Sequence, residues 1–76
     1  MSTRIYVETT IPSFYFETRT EPDMTARKTW TREWWSRASA SCELCTSAAV
    51  ITEIERGSFP AREDCLRLLA GLTVLT

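Results

Sequence analysis

Short apolar runs that alternate with polar segments predict a chain of alternating strands and helices. Ile5-Tyr6-Val7 is a β-branched and aromatic run between polar residues, which predicts a buried strand. Glu8-Thr9-Thr10 ends this strand, and Pro12 suits the first turn of a short helix that continues through Phe16. Residues 17–22 are polar and end in proline, so they predict a loop.

A longer helix is predicted from Asp23 onward, because apolar residues follow one another at a spacing of four. The stripe that we expect to face the core consists of Ala26, Trp30, Trp34 and Ala38. Trp35 lies about 100° from Trp34 around the helix, at the edge of this stripe or outside it. Since tryptophan is enriched at interface hot spots, Trp35 is the candidate for an exposed anchor. Residues 39–41 predict a small polar break after the helix.

The second half of the chain repeats the alternation. Residues 42–46 predict a strand, and Ser47 suits the N-cap of a helix over residues 48–56 that ends with Gly57 at the C′ position. Pro60 begins another helix, which ends at Gly71 and has an apolar face formed by Cys65, Leu66, Leu68 and Leu69. Residues 73–76 predict the beginning of a third strand. This order is typical of parallel βαβ units, so the predicted fold class is α/β.

A third strand at the end of the sequence predicts an incomplete sheet. Parallel sheets are normally covered by helices on both faces, and nothing follows residue 76 to supply the second cover. The 76 residues are also few compared with a domain of roughly 100–150 residues. We therefore expect residues 1–76 to form a single partial domain, the first part of a larger α/β domain.

Composition and charge exclude several classes of function. The chain is 43% hydrophobic with a net charge of −1, so it is globular and has no basic field for nucleic acid. The absence of histidine excludes Ser-His-Asp and Cys-His nucleophiles as well as zinc sites that use histidine. No apolar segment suggests a signal peptide or a membrane helix, and three cysteines do not make a disulfide framework. A reduced, cytoplasmic setting without a membrane partner is expected.

Two acidic residues occupy positions suited to chemistry. Glu8 follows the first strand, at the carboxyl end where open α/β sheets gather ligand and metal sites. On the helix over residues 48–56, Glu53 lies about 60° from Val50, whereas Glu55 lies about 140° away. We therefore expect Glu53 to point toward the sheet and Glu55 to point into solvent. Spacing alone also fits a capping or solvent-exposed role for Glu8 and Glu53.

The segment from Ile5 to Ser13, Ile-Tyr-Val-Glu-Thr-Thr-Ile-Pro-Ser, resembles the opening of PIN-domain proteins of the VapC toxin kind. In such proteins the first strand ends in an acid that is followed by small hydroxyl residues. The similarity continues in order along the whole chain, through Thr31-Arg32-Glu33-Trp34-Trp35, Thr46-Ser47, Val50, Glu53, Arg56-Gly57 and Leu66 to Leu72. The opening acid is commonly Asp in the wider family, whereas this chain has Glu8.

The resemblance implies a PIN-like three-layer α/β/α fold with a parallel sheet, apparently truncated after the third strand. It implies a Mg²⁺- or Mn²⁺-dependent endoribonuclease that cuts single-stranded RNA and is bound by a cognate antitoxin protein. Glu8 matches the first metal-binding acid and Glu53 the second, while Thr9 or Thr10 matches the hydroxyl that orients the first acid or contacts phosphate. The family's further acids lie downstream of the third strand, beyond this sequence. Because two carboxylates alone hold Mg²⁺ poorly, we expect the isolated chain to be inactive or very weakly active.

Two other functions stay open. An incomplete sheet exposes a strand edge and an apolar face, which favours an inactive module that binds an antitoxin-like peptide or forms a homodimer. Thiol redox or zinc chemistry would use Cys42-x-x-Cys45 with Cys65. However, residues three apart on a strand point to opposite faces, and zinc needs a fourth ligand. Buried structural cysteines are therefore the interpretation that we favour.

Two groups of charged residues have simpler explanations. Arg27, Lys28 and Arg32 lie close together on the long helix and could approach RNA phosphate, but a solvated helix face is the interpretation that we favour. Glu63 and Asp64 begin the last helix, where negative charge complements the helix macrodipole. We do not expect them to be metal ligands.

Overall fold

The structure, a computed structural model, describes residues 3–75 and has an α/β fold. The elements, in chain order, are β1 (Thr3–Tyr6), α1 (Thr10–Tyr15), α2 (Pro22–Ser41), β2 (Cys42–Ser47), α3 (Ala48–Arg56), α4 (Arg62–Ala70) and β3 (Thr73–Leu75). The predicted alternation of strands and helices is confirmed. Thr76, which the sequence assigns to the third strand, lies outside the described residues.

The three strands form a parallel sheet with the order β1-β2-β3. The register places Ile5 beside Leu44 and Thr46 beside Val74. Both crossover connections step in the same direction across the sheet, and such connections are right-handed. The helices α1 to α4 must therefore lie on the same face. Contacts of α1 with α2 and α4, and of α3 with α4, agree with a single helical layer.

The two faces of the sheet consequently have different surroundings. Toward the helices, Val7 is fully buried and Leu44 is 6% exposed. On the opposite face Tyr6 is 51% exposed and Leu75 is 37% exposed. Within residues 3–75 no helix covers this second face, which we call the open face. A three-layer α/β/α arrangement therefore stays a prediction.

The hydrophobic core lies between the covered face of the sheet and the helices. Its buried members are Val7, Ala38, Leu44, Val50, Ile54, Cys65 and Leu69. One polar side chain, Thr46, is completely buried beside them, and its Oγ1 donates a hydrogen bond to the carbonyl of Val7 over 3.0 Å. This bond satisfies the hydroxyl away from water.

Pro12 lies in the first turn of α1, as predicted, where a backbone N–H needs no partner. Other helix boundaries differ from the prediction. α4 begins at Arg62 rather than at Pro60. α2 continues through residues 39–41, where a polar break is predicted. The hydroxyls of Ser39 and Ser41 donate to carbonyls three and four residues earlier in the same helix, so these small polar residues remain helical. Even with this extension, no helix within residues 3–75 has the length and apolar character needed to cross a bilayer.

At the ends of α3, the predicted N-cap is confirmed, but the predicted backbone conformation of Gly57 is wrong. Ser47 caps the helix as predicted, because its Oγ accepts a hydrogen bond from the backbone N–H of Val50 over 3.3 Å. The helix ends at Gly57, also as predicted. However, Gly57 has an extended backbone with φ −70° and ψ 151°, not the left-handed conformation of a C′ glycine.

The apolar stripe predicted for the long helix is wrong in its first half. The side chains that α2 directs toward the core are Thr31, Trp34, Trp35 and Ala38. Positions spaced by four drift by about 40° at each step, so Ala26 lies about 120° from Ala38 around the helix. Trp30 falls outside the inward face and is 66% exposed.

The prediction of Trp35 as an exposed anchor is also wrong. Trp35 packs against the core, and its ring meets Tyr15 edge-on at a centroid distance of 5.8 Å. The exposed tryptophan of this helix is Trp30.

Candidate active site at the carboxyl edge of the sheet

Glu8 lies where β1 ends, at the carboxyl edge of the parallel sheet. The backbone N–H of Val7 donates to the carbonyl of Cys45 over 2.7 Å, and the carbonyl of Val7 accepts from Thr46 Oγ1 over 3.0 Å. These two bonds continue the pairing of β1 with β2 beyond Tyr6 and hold the backbone next to Glu8. The Glu8 side chain itself is exposed. A firmly held backbone with an accessible carboxylate is the arrangement expected of a ligand residue at this edge.

The structure distinguishes between the two hydroxyl residues that follow Glu8. Thr10 Oγ1 donates a hydrogen bond to Glu8 Oε1 over 2.8 Å, so Thr10 orients the carboxylate. Thr9 contributes its carbonyl, which accepts from the N–H and the Oγ of Ser13 at 3.3 and 2.9 Å. The Thr9 side chain does not cap α1.

A second pair of hydroxyls lies at the same edge, where β1 and β2 end. Tyr6 Oη and Ser47 Oγ are 2.8 Å apart, and the Ser47 oxygen also accepts the capping bond from α3. The sequence predicts the cap but not the contact with Tyr6. The only sequence signal for this contact is that both residues lie near the ends of strands predicted to be parallel. The carboxyl ends of such strands meet at the same edge of the sheet.

Glu53 lies on the second turn of α3 and is exposed. The buried residues of this helix are Val50 and Ile54, so Glu53 borders the buried face without belonging to it. At 1.5 Å per residue, Glu53 lies about 9 Å along the helix axis from Ser47. Within residues 3–75, no hydrogen bond or ion pair connects its carboxylate to Glu8, Thr9 or Thr10. The structure therefore leaves Glu8 and Glu53 as two separate exposed carboxylates.

The fit of these residues to a divalent cation rests on Glu8. Magnesium in proteins commonly uses one or two carboxylates together with waters and substrate phosphate. Thr10 engages one oxygen of Glu8, and the other makes no hydrogen bond within residues 3–75, so this carboxylate suits a ligand role. In the same part of the chain no group of three or more Asp, Glu, His or Cys side chains lies close enough together to hold a metal ion.

The cysteines agree with a structural role. Cys45 and Cys65 are buried, and their thiols donate to the carbonyls of Ile5 and Pro12, each over 3.4 Å. Burial raises the pKa of the Cys65 thiol, and the nearby Asp64 carboxylate raises it further. A protonated, buried thiol is a poor nucleophile and a poor metal ligand. Cys42 is half-buried and lies on β2 with Cys45, as predicted.

Comparison with protein-family models, with curated proteins and with solved structures gave no match to this chain. A functional hypothesis therefore depends on the geometry around Glu8 and on the resemblance that begins in residues 5–13.

Proposed function

We propose that this chain is part of a PIN-like metal-dependent endoribonuclease of the VapC toxin kind, in which Glu8 and Glu53 bind Mg²⁺ or Mn²⁺. The observation that carries the proposal is the position of Glu8 at the carboxyl edge of a parallel sheet, with its carboxylate oriented by Thr10. The resemblance of the surrounding segment to that family supports it.

The residues of the carboxyl edge have distinct roles in this proposal. Thr10 holds one oxygen of Glu8 by a hydrogen bond and leaves the other to bind the cation. The Thr9 hydroxyl contacts a phosphate oxygen of the RNA. Thr46 fixes the end of β1 through the carbonyl of Val7, so that Glu8 keeps its place. The cation supplies charge neutralisation at the phosphodiester and activation of a water molecule.

The proposal extends to the fold and the partners. A three-layer α/β/α arrangement would cover the open face, as parallel sheets require. An antitoxin protein would be the cytoplasmic partner that inhibits the nuclease.

Metal binding and RNA cleavage test this function with matched variants. Mn²⁺ broadens NMR signals of nearby nuclei, so we expect it to broaden the backbone amide signals of residues 8–10. We expect Glu8→Gln and Glu53→Gln each to weaken this binding at least about tenfold, the loss that even an outer-shell partner can cause. Glu55→Gln is the control, because Glu55 is exposed on the same helix and its side chain makes no contact that the proposal uses. Weak RNA cleavage in Mn²⁺ should disappear in EDTA and in the two site variants.

Equal Mn²⁺ binding by the Glu8→Gln, Glu53→Gln and Glu55→Gln proteins would overturn the metal site. Loss of Mn²⁺ binding in the Glu8→Gln protein alone would show that Glu53 is not part of the metal site.

A second candidate function is an interaction module without catalysis, which binds an antitoxin-like peptide or a second copy of itself. The open face favours it, since Tyr6 and Leu75 are exposed there and β1 is an edge strand of the sheet. Sedimentation at increasing protein concentration separates the two candidates. A dimer that Leu75→Glu dissociates would favour the module, whereas a monomer with metal-dependent cleavage would favour the enzyme.

A further inference from the structure

A cleft whose lining includes neither Glu8 nor Glu53 lies between the end of α1, the loop that follows it, α2 and the beginning of α4. Its volume is about 470 Å³, which falls within the range of roughly 300–1,000 Å³ found for small-molecule sites. Phe16, Pro60 and Ala61 form an apolar part of its wall, and Lys28 and Arg32 bring positive charge from α2.

Both acids that line the cleft are already neutralised by an arginine. Glu17 accepts three hydrogen bonds from Arg19, at 2.8 Å from Nε, 2.9 Å from Nη2 and 3.0 Å from the backbone N–H. These bonds lower the pKa of Glu17 from its ordinary value of 4.5 to about 2, so this carboxylate stays ionised and paired. Asp64 pairs with Arg67 on α4. Neither acid contacts Lys28 or Arg32.

The two cations, in contrast, have no acidic partner within residues 3–75. Lys28 and Arg32 lie one turn apart on the same face of α2. The Nε of Arg32 donates to the carbonyl of Tyr15 over 2.9 Å, and its guanidinium lies over the Tyr15 ring at 4.5 Å from the centroid. These contacts fix the guanidinium and leave its Nη groups available.

Lys28 is the second cation of the cleft without an acidic partner. Its side chain is half-buried, yet its ammonium makes no hydrogen bond or ion pair within residues 3–75. The aliphatic stem of a half-buried lysine packs against apolar surface while the ammonium stays accessible. One positioned guanidinium and one unpaired ammonium therefore face the same cleft.

We propose that this cleft binds the phosphate group of a nucleotide, with Lys28 and Arg32 as its charged ligands. Guanidinium and ammonium groups are the usual protein partners of phosphate, and their hydrogen bonds to it are charge-assisted. The hydroxyls of Thr18 and Thr20 line the same wall and can donate to further phosphate oxygens. Phe16 and Pro60 offer apolar surface for the nucleoside. The phosphate belongs either to a free nucleotide or to single-stranded RNA, and its binding requires neither the metal nor cleavage.

Titration with uridine 5′-monophosphate in EDTA tests the site by NMR and calorimetry. We expect shifts of the amide signals of residues 16–20, 28 and 32. Lys28→Gln should raise Kd roughly tenfold, because one charge-assisted contact is lost, and Lys28→Arg should restore most of the affinity. Arg37→Gln removes the same charge from an exposed site on the same helix, outside the cleft, and should change Kd less than about twofold.

Further ligands test the chemistry. Inorganic phosphate should bind more weakly than the nucleotide, and uridine without phosphate should not bind measurably. Equal binding of uridine, or equal effects of Lys28→Gln and Arg37→Gln, would overturn the phosphate site. Equal binding of inorganic phosphate would overturn its assignment to a nucleotide.

Hexauridylate identifies the source of the phosphate. Tighter binding than the mononucleotide, with a salt dependence that Lys28→Gln reduces, would support RNA. Tighter binding of the mononucleotide would support a free nucleotide. Because EDTA removes the cation, loss of this site leaves the proposed metal site untouched, and failure of the metal site leaves this one testable.

Discussion

The two faces of the sheet differ in burial, although alternate residues of the same strands supply both. Val7 and Leu44 point toward the helices and belong to the buried core, whereas Tyr6 and Leu75 point the other way and are 51% and 37% exposed. Parallel sheets are normally covered on both sides. The stability of residues 3–75 therefore depends mainly on the covered face, although Cys45 is also buried on the open face, beside Tyr6.

Polar contacts on the open face add little to the stability of the fold. Arg4 Nε lies 2.9 Å from Glu43 Oε1, between neighbouring strands, and 65% of the arginine side chain is exposed. Exposed ion pairs of this kind typically contribute about 0–1 kcal/mol. Substitutions on the open face should therefore have small effects on stability, unless another molecule covers that face in solution.

The largest expected difference in stability is between substitutions of two leucines, one in the core on the covered side and one on the open face. Leu69 on α4 is completely buried in the core, and Leu75 on β3 is exposed on the open face. Leu69→Ala should lower the free energy of unfolding by about 2–5 kcal/mol, because it removes buried surface and leaves a cavity. Leu75→Ala should change it by less than about 0.5 kcal/mol. Urea denaturation of both variants measures the difference.

A large loss of stability in Leu75→Ala would break the comparison. If that loss grew with protein concentration, the open face would be an interface between copies of this chain.

A smaller difference is expected between two tryptophans of α2. Trp34 packs against the core, whereas Trp30, one turn earlier and about 40° away around the helix, is 66% exposed. Trp34→Ala should cost about 2–3 kcal/mol, somewhat less than for a fully buried tryptophan, and Trp30→Ala less than about 1 kcal/mol. Fluorescence should show the same asymmetry, since iodide should quench Trp30 more strongly. Equal losses of stability would mean that α2 is rotated relative to the structure described here.

The order of elements could be predicted because it depends on local signals. The β-branched run at residues 5–7, the cap at Ser47 and the end of α3 at Gly57 each act within a few residues. The inward face of α2 could not be predicted by a spacing of four, because the drift of about 40° per step moves Trp30 away from the core. Only packing against the sheet selects the true face.

The candidate site could be predicted only in part for a similar reason. The position of Glu8 at the end of a strand follows from the sequence, but the choice between Thr9 and Thr10 depends on side-chain geometry. The cleft around Lys28 and Arg32 was not predicted, because Phe16, Lys28 and Pro60 are distant in the sequence. Helix packing alone brings them together.

The smallest expected effect lies in the loop between α1 and α2, away from both faces of the sheet. Bonds from Arg19 lower the pKa of Glu17 to about 2 in the folded chain, compared with an ordinary value of 4.5. A depressed pKa stabilises the fold above pH 4.5, and this contribution disappears as the pH falls toward 2. Because the Arg19 side chain of this pair is 60% exposed, solvent weakens the interaction, and Glu17→Gln should lower the melting temperature at pH 7 by at most a few degrees. Circular dichroism at pH 7, 4 and 2 should show this difference shrinking as the pH falls. Glu55→Gln is the control and should show no such trend. A difference that stayed undiminished down to pH 2 would mean that Glu17 acts through packing rather than through its charge.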